Sequence, residues 1–310
     1  MNKSYNSTLK NCCISYVKIE TKSERIGWVF AFGIASLAIL ISNALTILAF
    51  TKGHFRQKRA YIFLINLAVS DLVIGAIVIP LYISVAFFKR EDNRLVYLCF
   101  DVTAGFGSVF TVGFISLERL SAVASPLKHR LFRVKHYVVA IICVWLSALV
   151  ETLLVRIILP YNNFYNAIRA HITIISVATP LLITIAAYSA LYALEQKSFA
   201  RFHCRKNDER DAKLGRTLMM ITTVFFLTWS PFVIANVIDI YSCAETMCTH
   251  LPEHFYTTSK LLQYTNSFVN PAVYSMRMPA FRESLKIFVC NVFRPKNSKS
   301  REKFVQLNLN

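Results

Sequence analysis

Seven blocks of apolar residues divide the chain, each about as long as a membrane-spanning helix, and charged connectors separate them. A bilayer core is ~30 Å thick, so about 20 apolar residues cross it as a helix, which satisfies its own backbone hydrogen bonds. The pattern therefore predicts an all-α integral membrane protein in which seven spans form one bundle. The predicted spans cover residues 26–50, 61–88, 95–120, 136–159, 171–194, 214–240 and 255–276.

Composition and charge indicate the same class of protein. Hydrophobic residues make up 55% of the chain and charged residues 17%, against ~45–50% and ~25% in soluble domains. The net charge of +18 would suggest nucleic-acid binding in a soluble protein. Here 23 of the 35 Lys and Arg residues lie in the tail and in the connectors after the first, third and fifth spans. Basic connectors stay in the cytoplasm, so we expect no nucleic-acid partner and an extracellular N-terminus.

This topology divides the chain into three parts. Residues 1–25 are predicted to form an extracellular segment, 26–276 the seven-helix bundle, and 277–310 a cytoplasmic eighth helix and tail. Asn2 and Asn6 begin Asn-X-Ser/Thr sequons in the first part, which predict glycosylation.

Polar side chains inside the spans are candidates for function, because burying them in a membrane is costly. Asp71 lies about ten residues into the second span, roughly 15 Å deep by helical rise. A carboxylate among hydroxyl and amide oxygens suits a small hard cation such as Na⁺. An interhelical hydrogen-bond cluster that only stabilises the bundle is the alternative. The other polar residues expected at this depth are Asn43, Ser108, Asn266 and Asn270.

Two charged residues share one face of the third span. Asp101 and Arg119 are eighteen residues apart, which places them about 27 Å apart along a helix. Arg119, at the cytoplasmic end, has Glu118 and Asp211 as candidate carboxylate partners. The alternatives are a gate at the inner face and an arginine that extends to the interface. Prolines are expected to kink four spans, at Pro80, Pro180, Pro231 and Pro271.

Every span also carries a short motif or an anchor residue. From first to last these are Ser42-Asn43; Asn66 to Asp71 (NLAVSD); Glu118-Arg119-Leu120 followed by Pro126-Leu127; Trp145; Pro180 with Tyr188; Phe225 with Thr228-Trp229-Ser230-Pro231; and Asn270-Pro271-Ala272-Val273-Tyr274. In this order and spacing they resemble the motifs of the rhodopsin-like (class A) G-protein-coupled receptors. Leu120 stands where that family usually has tyrosine, and Thr228 where it usually has cysteine.

The resemblance implies a way of signalling. Arg119 would leave its carboxylate partners and engage a heterotrimeric G protein as the sixth span moves outward, and Trp229 would couple the ligand pocket to that movement. A sodium site is implied at Asp71, Ser108, Asn266 and Asn270, and arrestin and a receptor kinase are implied as partners at the plasma membrane. The residues of the implied activation switch are Glu118, Arg119, Tyr188, Asp211, Phe225, Pro231, Pro271 and Tyr274.

The resemblance also places a ligand pocket. Asp101 stands where aminergic receptors hold the ligand ammonium, and Tyr264 where their supporting tyrosine stands. An aspartate in an apolar pocket needs a cationic partner, so an amine ligand is one reading. The other is an internal ion pair with Lys260, Arg156 or Arg169, which leaves a melanocortin-like peptide, a nucleoside or a lysolipid as ligand. The remaining residues predicted in the pocket are Val102, Gly105, Ser176, Trp229, Phe232, Asn236 and Lys260.

The cysteines depart from the family pattern. Arg94 stands where most members have a cysteine at the outer end of the third span, and the connector from Pro160 to Ala170 has none. We therefore expect that the usual outer bridge is absent and that Cys243 pairs with Cys248 in the third outer loop. Ala280 to Cys290 resembles the amphipathic eighth helix, with Cys290 a candidate for palmitoylation.

Two other classes of function are expected not to apply. A channel or transporter would need polar rings or matched repeats along the spans, and the polar residues here are isolated. A membrane enzyme would need nucleophile–base pairs or His and Glu ligands at fixed spacing, which the spans lack. We expect no catalytic activity and no cofactor beyond an allosteric Na⁺, with membrane lipid around the bundle.

Overall fold

The computed structural model describes residues 21–52, 61–158, 163–199, 220, 223–238 and 253–293, and these ranges are almost entirely helical. In this part of the chain a short helix, Pro126–Leu131, connects the third main helix to the fourth, and we name it the loop helix. The main helices are α1 (Lys22–Lys52), α2 (Tyr61–Phe88), α3 (Arg94–Ala124), α4 (Val134–Thr152), α5 (Asn163–Phe199), α6 (Thr223–Ile238), α7 (Glu253–Arg277) and α8 (Pro279–Phe293).

The seven predicted spans coincide with α1 to α7, and several helices extend beyond the apolar blocks. The fifth span was predicted over residues 171–194, whereas α5 begins at Asn163 and includes most of the connector from Pro160 to Ala170. Hydropathy marks only the part of a helix that lies in the bilayer, whereas helical hydrogen bonding continues into the polar interface. The predicted eighth helix is confirmed and runs from Pro279 to Phe293.

The proline in α2 coincides with a change of helix type. Residues Ile74–Val78 form a π-helical turn, and the backbone N–H of Ile79 donates to the carbonyl of Ile74. Pro80 has no N–H, and its ring would clash with the carbonyl four residues earlier in a regular α-helix. A wider turn relieves that clash. A second π-helical segment, Leu153–Ile158, extends α4; the sequence analysis predicted neither segment.

Exposed apolar side chains show which helix faces meet lipid. On α1 they recur every three to four residues, which forms one stripe along the helix. Among the described residues, five helices are long and apolar enough to cross a membrane, and the described part of α6 is a shorter apolar helix. The exposed stripe on α1 consists of Ile26, Phe30, Ile34, Leu37 and Ile41.

The bundle interior is organised around α3, which packs against α2, α4 and α5. Gly113 lets α5 approach closely, since a Cβ there would meet Cβ of Pro180 at 3.4 Å. The polarity of α7 is explained by its position inside the bundle, as the sequence predicted. Its buried polar residues include Thr257, Ser259, Lys260, Gln263, Asn266, Ser267 and Asn270.

Candidate functional site

An ion pair between α3 and α7 lies at the centre of the predicted ligand pocket. The Lys260 ammonium donates to both carboxylate oxygens of Asp101, with Nζ 3.0 Å from Oδ1 and 2.7 Å from Oδ2. The Lys260 side chain is 1% exposed and that of Asp101 is 14% exposed. The internal-pair reading of Asp101 is therefore confirmed for Lys260, whereas the side chains of Arg156 and Arg169 lie outside the described residues.

Aromatic rings surround the ammonium of this pair. Nζ of Lys260 lies 4.1 Å from the ring centroid of Phe232, 4.8 Å from that of Tyr264 and 6.0 Å from that of Tyr97. The Tyr264 hydroxyl donates to Asp101 Oδ1 at 3.0 Å, and the Tyr97 hydroxyl donates to Oδ2 at 3.4 Å. A carboxylate with two hydroxyl donors, facing aromatic rings, is suited to hold a primary ammonium group.

A narrow cavity runs inward from this ion pair. Asp101 and Tyr264 line it at one end, and Ser108 and Asn266 line it towards the middle of the bundle. Gln263 also faces the cavity. The lining of this small cavity therefore includes residues of the predicted ligand pocket and two residues of the predicted sodium site, Ser108 and Asn266.

The remaining predicted pocket residues differ in their surroundings. Asn236 is half-buried, and its amide donates to the backbone carbonyl of Phe232 at 2.7 Å. Val102 packs against the core, and Ser176 is half-buried on α5. Gly105 is buried and lines the cavity.

Trp229 forms the floor of the pocket. Its ring stacks on Phe225 with centroids 5.1 Å apart, and both side chains are buried with Val109. A Cβ at Gly105 would lie 3.2 Å from Cη2 of Trp229, so the indole occupies the space that the glycine leaves open. Any ligand that moves this ring acts on α6 directly.

Asp71 sits in a buried cluster of oxygen atoms between α2, α3 and α7. The Asn270 amide donates to Asp71 Oδ2 at 3.1 Å, and the side chains of Ser108 and Ser267 also face the carboxylate. Within the described residues, four oxygen atoms here are buried without a hydrogen-bond partner: Asp71 Oδ1, Ser108 Oγ, Asn266 Oδ1 and Asn270 Oδ1. Such oxygens are the ligands that a hard cation prefers, so the residues present fit a Na⁺ ion.

Asn43 does not join this cluster, contrary to the prediction. Its amide donates to the backbone carbonyls of Ser267 at 2.9 Å and Ile39 at 3.0 Å. Asn43 therefore joins α1 to α7, which is a structural role. A similar role falls to Asn66, which links Thr111 on α3 and Trp145 on α4.

At the cytoplasmic end of α3, Glu118 holds Arg119. Nε of Arg119 donates to Glu118 Oε2 at 2.5 Å, and both side chains are buried. The other oxygen, Oε1, lies 2.9 Å from Nε2 of His129 in the loop helix and accepts from the Tyr137 hydroxyl at 3.3 Å. Glu118 is therefore held by three residues, Arg119, His129 and Tyr137.

The other switch residues occupy the inner half of the bundle. The Tyr274 ring lies between Phe50, with centroids 5.7 Å apart, and Phe281 of α8, at 5.9 Å. Tyr188 is buried in the same core, and Pro231 and Pro271 lie within α6 and α7. In this structure Arg119 therefore contacts Glu118, and Tyr274 packs against α8.

A comparison with protein families decides the membership of this chain. Residues 42–274 match the model described as the 7 transmembrane receptor (rhodopsin family). The chain belongs to the rhodopsin family of seven-transmembrane receptors. It is therefore a multi-pass membrane receptor that transduces binding of an extracellular ligand into activation of a G protein.

Relatives within the rhodopsin family differ in the ligands for which they are named. The chain is 25% identical to trace amine-associated receptor 7b of Mus musculus over 89% of this chain and 85% of that protein. It is also 25% identical to adenosine receptor A2a of Canis lupus familiaris, over 86% and 74%. Identity to the D(1)-like dopamine receptor of Takifugu rubripes is likewise 25%, over 84% and 69%.

Sequence reasoning missed several residues of this receptor's sites. Tyr97 precedes Asp101 by four residues, and Ser267 precedes Asn270 by three, so helical spacing alone would have placed each beside its partner. Gln263 would have been found by the same rule, three residues after Lys260. His129 and Tyr137 gave no comparable signal, because their contacts with Glu118 depend on how the loop helix and α4 pack against α3.

Some predicted positions lie outside the described residues. They are Asp211 of the switch, Cys243 and Cys248 of the expected bridge, and the sequon residues Asn2 and Asn6. Cys290 is exposed on α8 as a free thiol, which agrees with a site for lipid attachment but does not test it.

Proposed function

We propose that this receptor responds to a ligand that carries an ammonium group, and that Asp101 binds that group. The single observation that carries the proposal is the position of Lys260. Its ammonium lies on the Asp101 carboxylate, surrounded by Phe232, Tyr264 and Tyr97. The site therefore already holds an ammonium group in the geometry that an amine ligand would adopt.

A ligand amine would have to compete with Lys260 for this carboxylate. Charge-assisted hydrogen bonds contribute ~1.5–3 kcal/mol each, so a ligand ammonium must reproduce the contacts that Lys260 makes with both carboxylate oxygens. Asp101 remains partly exposed, whereas Lys260 is buried. The relatives named for trace amines and dopamine support an amine ligand.

A second candidate is a ligand that leaves the ion pair closed. In that case Asp101 and Lys260 would join α3 to α7 structurally, and a nucleoside, a melanocortin-like peptide or a lysolipid would bind above them. The neutralised carboxylate favours this reading, as does the relative named for adenosine.

The Asp71 cluster is proposed as an allosteric Na⁺ site. Asp71, Ser108, Asn266 and Asn270 would hold the ion, which would supply one positive charge to neutralise the buried carboxylate. The orphaned oxygens of these residues support the proposal. The cavity from Asp101 supports a route by which ligand and ion influence each other.

The remaining proposals concern the cellular setting. We place the receptor in the plasma membrane, as a transducer without catalytic activity of its own, with arrestin and a receptor kinase as further cytoplasmic partners. Glycosylation at Asn2 and Asn6, palmitoylation at Cys290 and a Cys243–Cys248 bridge complete this setting. Agonist-dependent recruitment of arrestin to the cell surface tests the location and the first partner together.

The ligand class is tested by G-protein dissociation in cells that express the receptor at their surface. The compounds are biogenic amines, nucleosides, lysolipids and melanocortin-like peptides. An Arg119→Ala variant serves as the control, because it removes the residue assigned to G-protein contact and leaves the pocket intact. A response to amines that the control loses supports the proposal, and a response confined to another class overturns it.

A further inference from the structure

Gln263 of α7 lines the cavity inward of the Asp101–Lys260 pair and has no part in that pair or in the Asp71 cluster. The residue is 7% exposed, and within the part of the chain that the structure describes its Oε1 atom is buried without a hydrogen-bond partner. A buried amide oxygen of this kind carries the full cost of its desolvation. Gln263 is therefore ready to accept a hydrogen bond from a group that enters the cavity.

Two further lining residues carry buried oxygens of this kind, but they already belong to another site. Among the described residues, Ser108 Oγ and Asn266 Oδ1 are buried without a partner, and both form part of the proposed Na⁺ site. Gln263 precedes Asn266 by three residues and follows Lys260 by three. Three residues of a helix correspond to ~4.5 Å, so Gln263 lies between the level of the ion and the level of the lysine. Its amide is thus placed to contact a ligand that binds at Asp101, which lines the same cavity.

The size of the cavity limits which group can reach this amide. Its volume is about 10 Å³, which is close to the least that one water molecule needs. The amide oxygen of Gln263 can only accept a hydrogen bond, so the group that enters must donate one. A hydroxyl meets both conditions, because it adds one non-hydrogen atom and donates one hydrogen. Since Asp101 and Gln263 line the same small space, the hydroxyl must lie within a few bonds of the ammonium.

We propose that Gln263 is a specificity-determining residue whose amide oxygen accepts a hydrogen bond from a hydroxyl group of an amine ligand. The ligand ammonium binds Asp101, and the hydroxyl enters the cavity beside Trp229, which is also part of the lining. This inference rests on the proposed function, because it needs Asp101 to be the ammonium site. It adds the ligand class, since the receptor prefers an amino alcohol to the amine that lacks the hydroxyl.

Matched pairs of compounds that differ by one hydroxyl group test this inference. The probes are phenylethanolamine with phenethylamine, octopamine with tyramine, and noradrenaline with dopamine. G-protein dissociation gives the half-maximal concentration of each compound at matched surface expression. For the pair that activates wild type, we expect the hydroxylated member to act at a concentration about fivefold lower or less, which is the effect of one additional neutral hydrogen bond.

Substitutions of Gln263 assign this preference to its amide. Gln263→Met carries a thioether that accepts hydrogen bonds only weakly, so the two members of a pair should become equally effective. Gln263→Glu keeps an oxygen at the same position and should retain the preference. Gln263→Leu gives the same comparison if the methionine variant fails to reach the cell surface. Thr257→Val is the matched control and should behave as wild type, because it removes a buried hydroxyl from the same helix and Thr257 is not among the described residues of the lining.

The outcomes separate this inference from the proposed function. If amines activate wild type without a preference for the hydroxyl, or if Gln263→Met keeps the preference, the Gln263 contact is overturned while the amine-receptor function stands. The contact is also overturned if Gln263→Met abolishes stabilisation by Na⁺ in thermal melts and leaves the preference unchanged, since Gln263 would then be a ligand of the ion. If no amine activates wild type, both proposals fail.

Discussion

His129 of the loop helix and Glu118 of α3 are in direct contact, with Nε2 of the histidine 2.9 Å from Oε1 of the carboxylate. Because Arg119 binds the other oxygen of Glu118, the connector between α3 and α4 holds the same carboxylate that holds the arginine. The position of Glu118, and with it that of Arg119, is thus stabilised partly by the connector between α3 and α4. The contact also leaves His129 accessible, since its side chain is 24% exposed.

Removing this histidine should raise basal signalling. In His129→Ala, Glu118 loses one hydrogen bond, which contributes ~1 kcal/mol, so the ratio of active to resting receptor should rise about fivefold. Basal second-messenger level per surface receptor measures the effect. Lys128→Ala, an exposed neighbour in the same helix, is the matched control; equal basal levels in the two variants would show that the contact has no regulatory role.

Substitutions of Asp101 and Lys260 should have non-additive effects on the stability of the receptor. Breaking a buried pair by removing one partner costs ~3–5 kcal/mol, and the partial exposure of Asp101 places the cost at the lower end. Asp101→Asn and Lys260→Met should each lower the thermal midpoint of the purified receptor. The double variant should regain most of the loss, since neither charge is left alone. Losses that add in the double variant would rule out the coupling.

Sodium should stabilise the receptor through Asp71. At a free Na⁺ concentration ten times the dissociation constant, binding to the folded state contributes ~1.4 kcal/mol. Thermal melts in NaCl should therefore exceed melts in N-methyl-glucamine chloride at equal ionic strength. Asp71→Asn should abolish the difference, because it removes the charged ligand; a sodium effect that persists in this variant would place the ion elsewhere.

The close packing of Gly105 on Trp229 predicts a size limit at this position. A valine there would overlap the indole, since a Cβ alone would approach Cη2 to 3.2 Å, and overpacking costs ~1–3 kcal/mol. Gly105→Val should lower the thermal midpoint and change the emission of Trp229. Gly27→Val is the control, because nothing lies within 4 Å of a Cβ at Gly27. Equal stability of the two variants would contradict the contact.

The sequence predicts the parts of this receptor that depend on composition and spacing along one helix. The seven spans follow from hydropathy, and Asp71 stands out because a carboxylate at mid-membrane depth is rare. The pairing of Asp101 with Lys260 was one of several alternatives, because its partner lies 159 residues away on another helix. Only the arrangement of the helices in the bundle, which brings Lys260 of α7 to Asp101 of α3, selects among them.

Other features depend on tertiary contacts that have no local signal. The π-helical segment Leu153–Ile158 and the fold of the loop helix onto Glu118 depend on neighbouring helices. For Asn43, by contrast, the sequence predicted a position that the structure does not show. Depth in the membrane suggested a place beside Asp71, whereas its amide nitrogen donates to backbone carbonyls of α1 and α7. Depth alone does not determine which way a side chain points around a helix.

The most direct test of the central claim is the affinity of the activating amine-bearing compound for wild type and for the Asp101→Asn/Lys260→Met double variant. Both charges are removed together, so neither charge of the pair is left without the other, and Lys260 no longer competes with the ligand for the carboxylate. We expect the affinity to fall at least tenfold, because a charge-assisted hydrogen bond of ~1.5–3 kcal/mol is lost. Unchanged affinity, with the receptor folded at the cell surface, would show that the ammonium binds elsewhere and would contradict the account.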